Sequence, residues 1–378
     1  MAEETGIEIR VTPRIKDIPA ASWNALVGPL DSPFVRHEWL LSLEDAGCVT
    51  PDLGWLPQHL TVWKDGRLVA AAPAYVKGNH EGEFVFDHAW HRVADRLRIP
   101  YYPKLIVAVP FTPATGRRLL VGTGEEAPLH RSLLAEGIRA VAEKHGLSSA
   151  HVLFPLPEES EILADDGFVA RLGIQFHWRN EGYATFDDFL GTLNAKRRHQ
   201  LKRERREVLA SGLVVRTLRG KDIGEETLDA MVGFYANTCD KFRPWTRQYV
   251  NKAFFQNVVE RMGDSIEIVE ARDGERIIAG AFNVSGGERL YGRYWGASEE
   301  RPFLHFHVCY YHSVEDCIAR GIKVFEPGAG GEHKVPRGFA PTATHSVHHI
   351  RDPRLLEIVR DHLQRERAAV REHLETGD

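Results

Sequence analysis

Apolar and polar residues alternate along Ile7–Thr12 as they do in a half-buried strand. The period then changes. Ala20–Val27 and Arg36–Ala46 read as helices, the second following Ser32-Pro33 and carrying Trp39, Leu40 and Leu43 at helical spacing. Leu60–Trp63 and Leu68–Val76 flank Lys64-Asp65-Gly66-Arg67. Because Asp-Gly tolerates the positive φ angles of tight turns, this stretch predicts a hairpin. Pro128–Lys144 predicts a helix ended at Gly146, and Ala150–Phe154 a short apolar strand.

The second half runs through a similar order. Phe186–Leu193 and Ala195–Ser211 are predicted helices, the latter stopped by Gly212, and Leu213–Leu218 is a predicted strand. Helices Glu225–Cys239 and Gln248–Met262 follow, then Ile266–Ala271 and Arg276–Val284 around a second Asp-Gly turn at Asp273-Gly274. Arg289–Trp295 is the next strand, His305–Arg320 a helix ended at Gly321, and Lys323–Glu326 a strand. Asp352-Pro353 opens a terminal helix that reaches about Leu374, with Asp as N-cap and Pro in the first turn. Each half reads strand, two helices, hairpin plus strand, helix, strand. That order predicts an α/β (α+β) chain of two domains, 1–178 and 179–378, each a mixed twisted sheet flanked by helices.

Composition narrows the class. With 378 residues, 43% of them apolar and 27% charged, the chain is long enough for two cores without disulfides. Its four cysteines show no CxxC spacing, no apolar run approaches the ~20 residues of a membrane span, and MAEETGIEIR lacks the order of a signal peptide. These features predict a cytoplasmic protein without a tightly bound cofactor. The net charge of −5 is uneven: Lys196–Arg206 holds seven Lys/Arg and one Glu. Residues 305–349 hold seven of the nineteen histidines.

Glu326–His349 is the richest candidate segment. Gly328, Gly330 and Gly331 follow a strand and allow backbone N–H groups to approach an anion. Glu332, His333 and Lys334 supply an acid, a base of near-neutral pKa and a cation, and Arg337 and His345 follow. His305, His307 and the later histidines also offer enough ligands for a metal, although HExxH and Cys/His zinc spacings are missing. Arg289–Ser298 ends in Arg293, Tyr294, Trp295 and Gly296, and is similar to the Gln/Arg-x-x-Gly-x-Gly/Ala pyrophosphate loop of GNAT acyltransferases, with Ser298 at the final small position. Arg198, Lys202, Arg205 and Arg206 share a helix face suited to phosphates, while Leu201 and Val208 point to the core. Tyr101-Tyr102-Pro103-Lys104 and Pro110-Phe111-Thr112-Pro113 bracket a strand at a predicted cleft.

At these motifs the chain resembles the FemAB-like N-acyltransferases of bacteria. The resemblance rests on Ser32-Pro33-Phe34-Val35 with Trp39-Leu40, the Tyr101–Lys104 and Pro110–Pro113 motifs, Lys196-Arg197-Arg198, Gly292–Gly296 and above all Glu326–Phe339. It implies two tandem GNAT-like domains and transfer of an acyl group from acyl-CoA or aminoacyl-tRNA to an amine of a cell-wall precursor. His333 is then the expected base, oriented by Glu332. Arg293, Gly296, Arg197, Arg198, Lys202, Gly328, Gly330 and Gly331 are expected at the donor, and Tyr101, Lys104, Lys334, Arg337 and His345 at the acceptor. A non-catalytic module binding peptide or nucleic acid, a metal-dependent hydrolase using the histidines, and a homodimer through the terminal helix are the alternatives.

Overall fold

The computed structural model describes residues 6–243 and 247–376, so part of the acidic N-terminal stretch lies outside it. The chain divides into two compact units: one runs to Ile174 and takes back the stretch from Ala343 onward, the other spans Gln175–Thr342.

The strands of the first unit are β1 (Ile7–Thr12), β2 (Trp55–Pro57), β3 (His59–Lys64), β4 (Arg67–Ala72), β5 (Ala74–Lys77), β6 (Lys104–Val107), β7 (Leu120–Val121) and β8 (Ser149–Leu153). β1, β3, β4 and β7 pair antiparallel in that order. The predicted hairpin is its centre, with Asp65 and Gly66 at φ 50° and 76°, the left-handed pair whose twist matches that of the strands. Pro73 has no N–H to donate, and there the chain leaves β4 for β5 and a second sheet. In it β2, β5 and β6 pair antiparallel, and β6 pairs in parallel with β8 after the helix Ala127–Lys144.

The chain passes into the second unit within β9 (Val169–Arg179). β10 (Val214–Arg219), β11 (Ile266–Asp273), β12 (Arg276–Gly286) and β13 (Arg289–Ala297) then form an antiparallel meander. β14 (Val324–Glu326) lies parallel to β13 and bonds the end of β9 on its other side, with Phe325 opposite Trp178. Two helices precede the meander: Phe186–Thr192, started by a capping box of Thr185 and Asp188, and Ala195–Ala210, capped by Asn194 Oδ1 on the Arg197 N–H at 3.0 Å. Between β13 and β14 runs one helical stretch, Leu304–Arg320, which widens into a π turn at His307–Tyr311. The return path is β15 (Ala340–Ile350), whose Ser346–Ile350 pair with β8 in the first unit.

The expected division into 1–178 and 179–378 is corrected at its C-terminal end. The helix Pro353–Thr376 buries Leu355, Val359 and Leu363, one per turn, against Trp90, Ala94 and Ile99 of the first unit. That apolar face, considered from the sequence as a dimer contact, is covered by its own chain. Among the described residues no helix is long and apolar enough to cross a membrane.

A second correction concerns Gly296. Residues 296 and 297 stay in the ladder opposite Gly280 and Ala279, so Arg293–Ala297 is strand where a phosphate loop was expected. The helix Glu225–Lys241 sits directly on Gly296: a Cβ there would stand 1.9 Å from the Phe234 carbonyl oxygen. Thr238 Oγ1 donates to the Trp295 carbonyl at 2.7 Å and fixes the same contact. Gly296→Ala is expected to cost about 1–3 kcal/mol through overpacking. Urea unfolding measures this directly, and an unchanged midpoint would dismiss the packing role.

Candidate active site

β14 ends at Glu326, paired with Tyr291, whereas β13 runs on to Ala297, so beyond Tyr291 the far part of β13 has no β14 residue beside it. Two features of the sequence shape the wedge left beside β13. The β12–β13 register jumps from Asn283↔Gly292 to Phe282↔Tyr294, leaving Arg293 as the extra residue of a β-bulge, which bends the strand. Gly292 lets the turn after β14 come close, since a Cβ there would meet Pro327 Cα at 3.2 Å. The wedge holds a hollow of about 70 Å³ among Asn283, Arg293, Trp295, His305, Cys309 and Tyr310. Trp295 and His305 also line a wider recess of about 810 Å³ with Thr238, Lys241, Ser298 and Leu304.

The π turn supplies the wall of the hollow. Such a turn inserts an extra residue and re-aims the side chains beyond it, and it recurs at functional sites. Here Tyr310 lines the hollow while its hydroxyl meets His333 Nε2 at 2.9 Å. Tyr311 points elsewhere, its hydroxyl donating to the buried Glu204 carboxylate. Burial raises the Tyr310 phenol well above its usual value, so it stays protonated and able to donate. Burial, then Lys334 and Arg337, lower His333 below its ordinary 6.5, so at neutral pH its ring is an uncharged acceptor. His305 lies beside it, ring centroids 6.0 Å apart, brought down to about 4 mainly by burial.

The segment after Glu326 divides into a glycine turn, a short 3-10 helix (Glu332–Arg337) and β15. Several expected roles change with it. Lys334 is buried and donates to the Gly328 and Gly330 carbonyls at 2.7 and 2.6 Å. The glycine turn thus aims these two carbonyl oxygens at an ammonium of its own chain, where backbone N–H groups aimed at an anion were expected. Burial lowers that ammonium to about 8. Arg337 donates to Tyr311 Oη (2.9 Å), to the His333 carbonyl (2.7 Å) and to Glu204 (3.0 and 3.2 Å), and covers the Phe306 ring at 3.4 Å. Both cations, expected at the acceptor, hold the loop in place. Glu332 is exposed with no side-chain partner among the described residues, so Tyr310, and not Glu332, orients His333.

The remaining expected residues fall into other places. On the helix Ala195–Ala210, Leu201 and Val208 are buried as the pattern indicated, with Glu204 between them. Lys202 pairs with Asp187 at 3.0 Å on the surface, whereas the Arg197 and Arg198 side chains have no ionic partner among the described residues. Lys104 is fully buried in the first unit, its Nζ bonded to Glu83 at 2.9 Å and to Asp87, whose carboxylate also accepts from Tyr101 Oη at 2.6 Å. Burial pushes Glu83 up to about 6. Tyr101 and Lys104 are therefore spent on an internal ion cluster and offer nothing to an acceptor. His345 lies in the part of β15 within the first unit, where His348 Nδ1 meets His151 Nδ1 at 2.6 Å. Among the described residues no three His, Cys, Asp or Glu side chains form a metal-binding group, so the histidines of 305–349 do not converge as the hydrolase alternative needs.

Sequence reasoning passed over Tyr310, Cys309, Asn283 and the acid that ends β14. Glu326 is buried, accepts from Arg289 at 2.6 Å and lies 3.8 Å from His177 Nε2. Only the apolar-aromatic stretch His305–Tyr311 hinted that a helix wall here carries chemistry.

The model of the FemAB-like family, described as peptidoglycan biosynthesis/recognition, matches residues 14–378. The chain belongs to the FemAB-like family. This FemAB-like chain is similar to a crystal structure of FemX at 12% identity and TM-score 0.55, over 93% of this chain and all of that one. It is likewise similar to L-PGS from Bacillus licheniformis, at 12% identity and TM-score 0.52, over 90% of this chain and 98% of that one. No curated protein matches the sequence. At such identities the likeness concerns the fold alone, an α/β chain of mixed sheets flanked by helices, as the element order predicted.

The buried rings of the second unit make its stability depend on pH. Burial holds His177 to about 3 and His305 and His307 to about 4, against 6.5 for an ordinary histidine. Between those values the unfolded chain binds more protons than the folded one, so stability is fully present above 6.5 and is lost as pH falls toward 4. Urea midpoints near pH 7.5 and pH 5 are expected to differ, the acidic one being lower. Replacing His307 by Gln is expected to shrink that difference, and equal shifts in both proteins would dismiss its contribution.

Proposed function

We propose that this FemAB-like chain is an acyl- or aminoacyltransferase acting on an amine, and that transfer occurs in the hollow beside β13 beyond the end of β14. One observation carries the reading: a small hollow in the wedge whose wall bears the Tyr310–His333 hydrogen bond. The hollow suits the acyl group and the wider recess the body of its donor, Trp295 and His305 being common to both. In the transfer the amine nitrogen bonds the acyl carbon and the carbon–oxygen or carbon–sulfur bond to the donor breaks. One proton leaves the nitrogen and one reaches the leaving group. Tyr310 accepts the first while handing its own proton to His333, and the pair returns a proton to the leaving oxygen or sulfur. An uncharged His333 is suited to this role near neutral pH.

The donor is acyl-CoA or aminoacyl-tRNA. Arg197 and Arg198 are the phosphate contacts we assign, with Lys202 joining once its exposed pair with Asp187 opens, which costs little. Their helix is bonded through Glu204 to Tyr311, next to Tyr310 in the chain. Arg293, at the bulge, supports the donor from the hollow itself. The acceptor class follows the family description: an amine of a cell-wall precursor met in the cytoplasm.

Tyr310→Phe and His333→Ala are each expected to lower kcat by about 10²–10⁴-fold. The assay offers acetyl-CoA or alanyl-tRNA with a nucleotide-linked muramyl pentapeptide and follows product by mass spectrometry. Unchanged rates in both folded variants would remove the proton-transfer pair. Tight binding of the muropeptide or tRNA with no product from either donor would instead make the chain a recognition module.

A further inference from the structure

Asn283 brings to the hollow an amide whose chemistry the transfer described above does not use. It lies on β12 and is 2% exposed, and its Nδ2 finds no acceptor among the described residues. A buried donor left unsatisfied is costly, and such groups in a native fold call for an explanation. The amide lines the hollow together with Ala281, two residues earlier and therefore on the same face of the strand. Asn283 pairs with Gly292 at the point where the register jumps past Arg293, so the bulge lies beside its amide. Tyr310 lines the same hollow from the helical stretch between β13 and β14. At about 70 Å³ the space exceeds the ~30 Å³ share of one water and admits a group of a few heavy atoms.

We propose that Asn283 Nδ2–H donates to the carbonyl oxygen of the acyl group seated in this hollow, and stabilises the charge that oxygen gains when the amine attacks. This role rests on the transferase reading. As the nitrogen–carbon bond forms, the carbonyl π electrons move onto the oxygen facing Asn283. When they return, the bond to the donor's oxygen or sulfur breaks, and the leaving group receives its proton from the Tyr310–His333 pair. The amide is uncharged and keeps both N–H bonds across the working pH range, so it serves attack without competing for the proton.

The test uses the full chain with Asn283→Leu, which keeps the approximate shape and deletes the donor. Loss of an oxyanion donor is worth about 10²–10³-fold in kcat, and such a fall with KM within a few-fold is expected. Stability should be unchanged or higher, because an unsatisfied buried group has been removed. A structural amide would behave in the opposite way, lowering the melting temperature and sparing kcat, and that result would overturn the assignment. If the leucine variant fails to fold, Asn283→Ala carries the same kinetic comparison. Full kcat in the Asn283 variant, alongside a crippled His333→Ala, sinks this role alone and leaves the transferase reading standing. A wild-type protein inert toward both acetyl-CoA and alanyl-tRNA sinks the reading and takes this role with it.

Discussion

The second unit is organised around one buried carboxylate. Glu204 sits in the most basic helix of the chain, yet its side chain is only 1% exposed. Desolvating a carboxylate costs several kcal/mol unless hydrogen bonds replace its water. Gln200, Tyr311 and both approaches of the Arg337 guanidinium supply them. Because Arg337 also holds the His333 carbonyl, the helix, the π turn and the loop are fixed by a single knot. Adjacent residues of one helical turn project in fixed relative directions, so anchoring Tyr311 to Glu204 dictates where Tyr310 faces. The wall of the hollow is thus set by a carboxylate that does not itself line it.

The two units share a frame and fill it differently. Each contains a parallel pair that follows an antiparallel partner and is joined by a helix: β6 with β8, and β13 with β14. In the first unit Lys104, at the head of β6, is packed solid with Glu83, Asp87 and the rings of Tyr101 and Tyr102. In the second, the bulge at Arg293 bends β13, and β14 ends before it, which leaves a hollow beside the strand.

Much of this was legible in the sequence. Both Asp-Gly hairpins, the helix Ala195–Ala210 with its buried Leu201 and Val208, and the helix ended at Gly321 follow from local rules that tertiary packing did not override. β9 and β15 escaped, because Val169–Arg179 and Ala340–Ile350 mix apolar residues with His, Gln, Thr and Arg whose burial depends on partners distant in the chain. The tail of the glycine segment therefore carries no strand signal of its own, and the sequence groups His345 with His333. At the site, proximity in sequence misled: Glu332, Lys334 and Arg337 neighbour His333 along the chain, but solvent takes the first and the loop's own carbonyls and Glu204 take the others. The groups that line the hollow come from β12, β13 and the π turn, a convergence that no spacing rule encodes.

The path of the chain through β9 and back through β15 also has a consequence for biosynthesis. Ser346–Ile350 and Leu355, Val359 and Leu363, which complete the first unit's sheet and core, leave the ribosome only after all of Gln175–Thr342 has been made. Domains made early normally finish folding while later ones emerge. Here the first unit must wait, with a sheet edge and the Trp90 face uncovered, until Ser346–Leu363 arrive, and in that interval those surfaces are open to wrong contacts.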